Sequence, residues 1–125
     1  MKILIIEQNK ATVSPLKTEM IRKWGYEAER ASTGLEALAM LSWDLYDMVI
    51  LDIDLPDGKG HGLISHIKKL HPDIYIATMT GNNSRDLERE IRTQGIIYYM
   101  MKPLDMNEIK DILAHNNTKK HKEVR

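Results

Sequence analysis

The 125-residue chain contains no cysteine. A disulfide framework, a thiolate nucleophile and a cysteine-type zinc site are thereby excluded, and the composition suits a non-exported protein of a reducing cytoplasm. Charge of one sign is not in excess either, since eighteen Lys and Arg stand against eighteen Asp and Glu. No global field steers such a chain toward nucleic acid or an anionic membrane, so any charge-based function has to be local. The apolar run that opens the chain, Ile3-Leu4-Ile5-Ile6, is four residues long, too short for a signal-peptide core or a membrane span. Phe is missing while Met occurs eight times, which points to an adaptable core rather than a Met-based ligand site. The histidines, His61, His66, His71, His115 and His121, never fall four residues apart. Without paired metal-ligand spacing they read as surface or loop residues.

What is present is a chain 42% hydrophobic and 29% charged, of a size for one domain with a real core. Short apolar runs of strand type alternate with longer stretches of helical period. Ile3 to Ile6 reads as a first strand, and Val13, Leu16, Met20 and Trp24 follow at helical spacing. That helix has two candidate starts: Ser14-Pro15 as N-cap and first position, or a start near Ala11 with Pro15 just inside. Gly25 ends it, and Glu27 to Ala31 alternates small apolar with charged residues as a weak edge strand does. Thr33-Gly34-Leu35-Glu36 has the form of a capping box, with Leu35, Leu38 and Leu41 as the inward face of a second helix. Met48 to Leu51 is continuously apolar, as in a strand covered on both faces, and Leu55 to Gly60 is loop chemistry. A third helix turns Leu63, Ile64, Ile67 and Leu70 inward and closes before His71-Pro72. Ile74 to Met79 reads as a fourth strand, Ser84 to Gly95 as a short polar helix and Ile96 to Met101 as a fifth strand. Asp105 to Glu108 can cap a last helix that buries Ile109, Ile112 and Leu113.

Strands alternating with helices through short connections imply right-handed crossovers and a parallel sheet with helices on both faces. The fold class expected is α/β, a doubly wound sandwich of five strand–helix repeats with strand order 2-1-3-4-5, whose ligands belong at the carboxyl ends of the first and third strands. Those ends carry Glu7-Gln8 and Asp52, with Asp54 two residues on; the fourth strand ends in Thr80 and the fifth in Lys102 before Pro103. A carboxylate cluster beside one cation suits a hard, oxygen-seeking metal such as Mg²⁺. The substrate group it fits is phosphoryl: metal and Lys102 balance negative charge, Thr80 donates a hydrogen bond, and Asp52 can be the nucleophile.

Glu7, the run Ile50-Leu51-Asp52-Ile53-Asp54-Leu55-Pro56 with Gly60 beyond it, Met79-Thr80-Gly81, and Tyr98-Tyr99-Met100-Met101-Lys102-Pro103-Leu104 together resemble the response-regulator receiver domains of two-component signalling, CheY-like in fold. The resemblance covers residues 2 to about 114, so that residues 1–114 read as a receiver domain and residues 115–125 as a basic polar tail. It implies a module that is not an enzyme beyond self-catalysed phosphorylation and dephosphorylation. Asp52 would accept a phosphoryl group from a sensor histidine kinase, a phosphotransfer protein or a small phosphodonor. Glu7 and Asp52 would hold Mg²⁺ with the Asp54 backbone carbonyl, and Thr80 and Lys102 would contact the phosphoryl oxygens. Phosphorylation would draw Thr80 inward, let Tyr99 change rotamer, and alter the surface of the fourth helix, fifth strand and fifth helix for a downstream protein target.

Gln8 departs from that family pattern, which usually has a second acid there. Gln offers a carbonyl oxygen but is neutral and one methylene longer than Asp. Loss of even an outer-shell partner typically costs ~10- to 100-fold in metal affinity, so a weakened Mg²⁺ site is expected. Two compensations present themselves: Asp54 turning its side chain onto the metal, or Gln8 binding through its oxygen with Glu7 as the main anion. A runner-up reading is a receiver-fold module that signals by binding alone. A flavodoxin-like nucleotide binder is a third, although the segment after the first strand lacks a hydroxyl-rich phosphate loop. Gly58-Lys59-Gly60-His61-Gly62 also lacks the G-x-G-x-x-G and Walker patterns and reads as a turn.

Ile97-Tyr98 makes the fifth-strand edge apolar where many receivers carry acids, which suits a protein partner. The charge pattern of the symmetric dimers formed by winged-helix transcription-factor receivers is missing, so that dimer is not expected. The tail from His115 to Arg125 is basic and polar, an end that frays, leads into a linker to an output domain, or serves as a phosphate-contacting arm. Direct contact with DNA would need a helix-turn-helix module, for which these residues leave no room.

Overall fold

In the computed structural model the described residues are 1–57, 60–82 and 84–124. Five strands, β1 (Lys2–Ile6), β2 (Glu27–Ala31), β3 (Met48–Asp52), β4 (Tyr75–Thr80) and β5 (Tyr98–Met101), form one parallel sheet in the order β2-β1-β3-β4-β5. The expected doubly wound order is the one observed. Five α-helices connect or follow the strands: α1 (Lys10–Thr18), α2 (Gly34–Trp43), α3 (Gly60–Leu70), α4 (Arg85–Arg92) and α5 (Met106–Val124).

The core is split by the sheet. Leu4, Ile6, Val49, Leu51 and Ile76 point to one face and pack against Ala37 and Leu41 of α2, Leu63, Ile64 and Ile67 of α3, and Ile91 of α4. Ile3, Ile5, Met48, Ile50, Ala77 and Met79 point to the other, against Val13 and Leu16 of α1 and Ile109, Ile112 and Leu113 of α5. Period-two alternation on strands apolar throughout feeds both layers, which is why β1 and β3 read as continuous apolar runs.

Several local expectations change. Of the two starts open for α1 the one near Ala11 holds: Asn9 caps the helix, its side chain accepting from the Ala11 N–H at 2.9 Å, and Pro15 lies inside. Beyond Thr18 the chain widens into a π-helical segment, Glu19–Lys23, and Gly25 leaves it at φ +76°, a conformation that favours glycine. Thr33 caps α2 through the Glu36 N–H at 3.1 Å, but the Glu36 carboxylate reaches Ser32, one residue further back than a capping box places it. The buried stripe of α2 is Gly34, Ala37 and Leu41. Leu35, expected inward, is one helical step off that stripe and 77% exposed; Leu70, at the last position of α3, is 44% exposed. β4 begins and ends one residue later than expected, and β5 begins at Tyr98, although the Ile97 N–H already bonds to the Ile76 carbonyl at 2.8 Å. α5 continues through the stretch expected to fray, as far as Val124, and Asn116 is buried with its amide donating to the Ile112 carbonyl at 2.7 Å.

The turn expected at Gly58-Lys59, and the side chains of His61 and His121, lie outside the described residues. His66 and His115 are exposed, while His71 sets Nε2 2.7 Å from the Leu41 carbonyl. Among the described residues no helix is long and apolar enough to cross a membrane.

Candidate functional site

The switch point of the sheet gathers the predicted acids and the predicted cation. Glu7 follows β1 directly, its N–H continuing the ladder to the Ala31 carbonyl at 3.0 Å, and its side chain is 1% exposed. Asp52 closes β3 at 4% exposure. Lys102 follows β5, joined to the Thr80 carbonyl through its own N–H at 2.8 Å and followed by a cis peptide to Pro103. Its Nζ lies 2.7 Å from Glu7 Oε1 and 3.1 Å from Asp52 Oδ2. One ammonium thus bridges two buried carboxylates.

Two anions on one cation leave an imbalance. Burial, and then the neighbouring Glu7 carboxylate, push the Asp52 carboxyl above the usual Asp range. Burial also acts to raise Glu7, but its bonds to Asp52 and Lys102 outweigh burial and hold it below the usual Glu range. Burial acts to lower Lys102, and its bonds to Glu7 and Asp52 raise it instead. The two carboxyls therefore titrate as a coupled pair, Asp52 shifted up and Glu7 down.

Thr80 and Asp54 are brought to the same edge but turned toward each other. The Thr80 hydroxyl donates to Asp54 Oδ2 at 2.9 Å and lies 3.1 Å from Oδ1, and the Gly81 N–H donates to Asp54 Oδ2 at 2.9 Å. Thr80 is fully buried and accepts the Asn82 N–H at 3.0 Å. The Asp54 N–H donates to Asp52 Oδ1 at 2.9 Å, which fixes the acceptor side chain from the strand-end side. Tyr99 is half-buried against the core beside Leu87 and Ile96, with the Arg92 guanidinium 5.8 Å from its ring centroid. Its hydroxyl is buried without a hydrogen-bond partner among the described residues, a costly arrangement.

Gln8 is exposed. Its backbone, not its side chain, is what the structure fixes: Arg30 of β2 donates through Nε to the Glu7 carbonyl at 3.0 Å and through a second nitrogen to the Gln8 carbonyl. Asp57 makes a second unforeseen tie, accepting the Gly34 N–H at 3.2 Å and joining the loop after Asp52 to the start of α2. Neither contact had a signal in the sequence, because each links segments more than twenty residues apart through an ordinary polar side chain.

Among the described residues no cluster of three or more acidic or imidazole ligands is present. The donors that do converge, two buried carboxylates, are hard oxygens whose mutual repulsion a divalent cation would relieve. That set fits Mg²⁺, which binds through one or two carboxylates and keeps several waters.

The family model of the response regulator receiver domain matches residues 3–114. The chain belongs to the response regulator receiver domain family. Such domains are signalling modules of two-component systems, not enzymes of the usual kind, and they interact with histidine kinases or phosphotransfer proteins and with downstream targets. The receiver is 30% identical over 110 residues to sporulation initiation phosphotransferase F of Bacillus subtilis (strain 168), covering 88% of each chain. It is also 30% identical over 117 residues to the transcriptional regulatory protein ZraR of Klebsiella oxytoca, of which it spans 26% while 90% of this chain is covered. Among solved structures it superposes on a CheY-like receiver domain protein of Methanospirillum hungatei JF-1 with a TM-score of 0.89 at 28% identity, covering 98% of this chain and 97% of that one. A response regulator protein of Burkholderia pseudomallei, solved with a phosphorylated aspartic acid, calcium ion and citrate, gives 0.83 at 25% identity, covering 98% of this receiver and 71% of that chain.

Proposed function

We propose that this receiver is an aspartyl-phosphate switch with Asp52 as the phosphoacceptor. The observation that carries the reading is the bridge of Lys102 between Glu7 and Asp52, 2.7 and 3.1 Å long, at the carboxyl ends of three different strands. In the transfer an Asp52 carboxylate oxygen attacks phosphorus while the bond from phosphorus to the donor breaks. With a phosphohistidine donor the imidazole nitrogen leaves with the electron pair. Glu7 and Asp52 would hold Mg²⁺, which would supply positive charge to the phosphoryl oxygens and favour the ionised form of both carboxyls. Lys102 adds a fixed cation, and the Asp54 N–H holds the Asp52 oxygen that does not react. The Thr80 hydroxyl, bound to Asp54, would exchange that carboxylate for a phosphoryl oxygen. Tyr99 would then take up the space and the polar contact its hydroxyl lacks, reshaping the surface of α4, β5 and α5 for a protein target. The receiver unit in this reading is residues 1–114, with residues 115–125 its basic extension, and the setting is cytoplasmic.

Incubation with acetyl phosphate across a Mg²⁺ titration, followed by intact mass, tests the proposal. A metal-dependent gain of one phosphoryl group that Asp52→Asn abolishes is expected. A folded protein that gains no mass at high Mg²⁺, and none from phosphorylated histidine kinases, would replace it with the second reading, a module acting by binding alone. That reading draws on the exposed, neutral Gln8 at the position of the second acid.

A further inference from the structure

On the opposite end of the sheet from Asp52, the C-terminal end of α2 carries the most solvent-exposed aromatic among the described residues. Trp43 is 91% exposed, and Leu45, two residues on, is 75% exposed. Neither contributes to the core. Two large exposed apolar side chains so close in sequence at one helix end suit a contact surface when a groove adjoins them.

The surroundings of Trp43 define the chemistry of what it meets. A groove between α2 and the free edge of the sheet is lined by Glu29, Ala39, Met40, Trp43, Asp44 and Tyr46. β2, which supplies Glu29, pairs only with β1. The Lys2 ammonium is already seated at this place, 3.0 Å from Glu29 Oε1, bonded to Asp44, and 4.9 Å from the Tyr46 ring centroid. Two carboxylates and an aromatic face therefore hold an alkylammonium in the structure itself. Glu27, exposed on the same strand, lines the depression that adjoins Lys2. Glu29 and Asp44 thus share one ammonium, and with Glu27 beside it on the same strand the acids of the shoulder outnumber its cation next to the apolar residues.

We infer that this shoulder of α2 and β2 docks a basic, apolar protein segment, placing an Arg or Lys against Glu29 and Asp44 and an aliphatic side chain against Trp43 and Leu45. Trp and Arg dominate the energetics of protein interfaces. A second copy of this chain is disfavoured, because a symmetric contact would set carboxylates against carboxylates. Nucleic acid and anionic lipid are disfavoured by the same charges. The shoulder lies apart from the acid site and does not depend on its chemistry.

Fluorescence polarisation with labelled peptides of alternating Leu and Arg tests the inference, using Leu/Glu and Ser/Arg peptides as comparisons. Saturable binding of the Leu/Arg peptide alone is expected, weaker at higher salt. Trp43→Ser should weaken it by about thirtyfold, the scale of an interface hot spot, and Glu29→Gln with Asp44→Asn should do so to a similar degree. Lys2→Met should tighten it, since the internal cation no longer competes, whereas Asp111→Asn on α5 should leave it unchanged. The inference fails if the Leu/Arg peptide does not bind, if Leu/Glu binds equally, or if Trp43→Ser has no effect. It fails equally if sedimentation shows a dimer of the wild-type chain that Trp43→Ser abolishes, which would make the shoulder a self-interface.

Discussion

Thr80 donates its hydroxyl to Asp54, at 2.9 Å, while the phosphoacceptor proposed at Asp52 is held by Lys102 and the Asp54 N–H. The residue expected to meet the phosphoryl group is thus parked on a neighbouring carboxylate. Asp54→Ala releases it. Because Thr80 is fully buried, the variant should lose about 1 kcal/mol of stability, the usual net value of a hydrogen bond. Its affinity for beryllofluoride should rise, since Thr80 no longer has to leave a partner. Mg²⁺ affinity should change by less than the ~10-fold that loss of an outer-shell partner produces, because the Asp54 side chain faces Thr80 and Gly81. Urea denaturation and calorimetric titration check the three outcomes; a large loss of Mg²⁺ affinity would show that this side chain turns onto the metal after all.

Asp52→Asn should stabilise the metal-free protein at neutral pH, by on the order of 1 kcal/mol, as removal of a poorly compensated buried charge often does. The sign follows from the raised Asp52 carboxyl. A group raised on folding contributes stability that is full below its unfolded value and is lost as pH rises through the folded one. The advantage of the variant should therefore be small in acid, grow across that interval and then level off. Adding Mg²⁺ should narrow the gap, because the metal stabilises the wild-type fold by mass action. Thermal melts across pH, with and without Mg²⁺, measure this.

Lys102→Met leaves Glu7 and Asp52 buried without their cation. A loss of about 2 kcal/mol is expected, below the ~3–5 kcal/mol of a fully buried pair, because the Lys102 side chain is 26% exposed. Glu7 is lowered by its partners, so its contribution is present above the unfolded value and fades as pH falls through the folded one. The difference between Lys102→Met and wild type should shrink in acid. Denaturant midpoints at neutral and acidic pH decide it.

Gln8→Asp restores a second charge where receivers usually have one. Mg²⁺ affinity should increase by at least ~10-fold, the lower end of what ligand-shell changes produce. Arg30→Ala should act in the other direction, since it removes the bonds that fix the Glu7 and Gln8 carbonyls. Mg²⁺ titration followed by amide chemical shifts reads both, and equal affinities for wild type and Gln8→Asp would place the metal away from the end of β1.

The order of the elements was legible because short strand-type stretches, apolar except for the alternating Glu27 to Ala31, take turns with longer helical ones. The parallel sheet with order 2-1-3-4-5 follows from their alternation. Glu7, Asp52, Thr80 and Lys102 were legible as a group for the same reason: each directly follows or closes a strand, and topology sends those strand ends to one edge. Element limits were less so. Leu35 looked like core by spacing alone, yet the stripe of α2 is set by which residues meet α3, β2 and β1, and that stripe begins at Gly34.

By itself the sequence determined most of what is inside, Leu35 and Leu70 apart, because burial of apolar side chains at period two and 3.6 is a local code. It also determined that acids and an ammonium meet, because strand ends are local features whose destination topology fixes. Only the tertiary structure decided which oxygen each donor takes. Thr80 on Asp54, Arg30 on the Glu7 and Gln8 carbonyls, Asp57 on Gly34 and Lys2 between Glu29 and Asp44 are choices among polar partners of similar worth. They are set by distances that exist only once the sheet and both helical layers have closed.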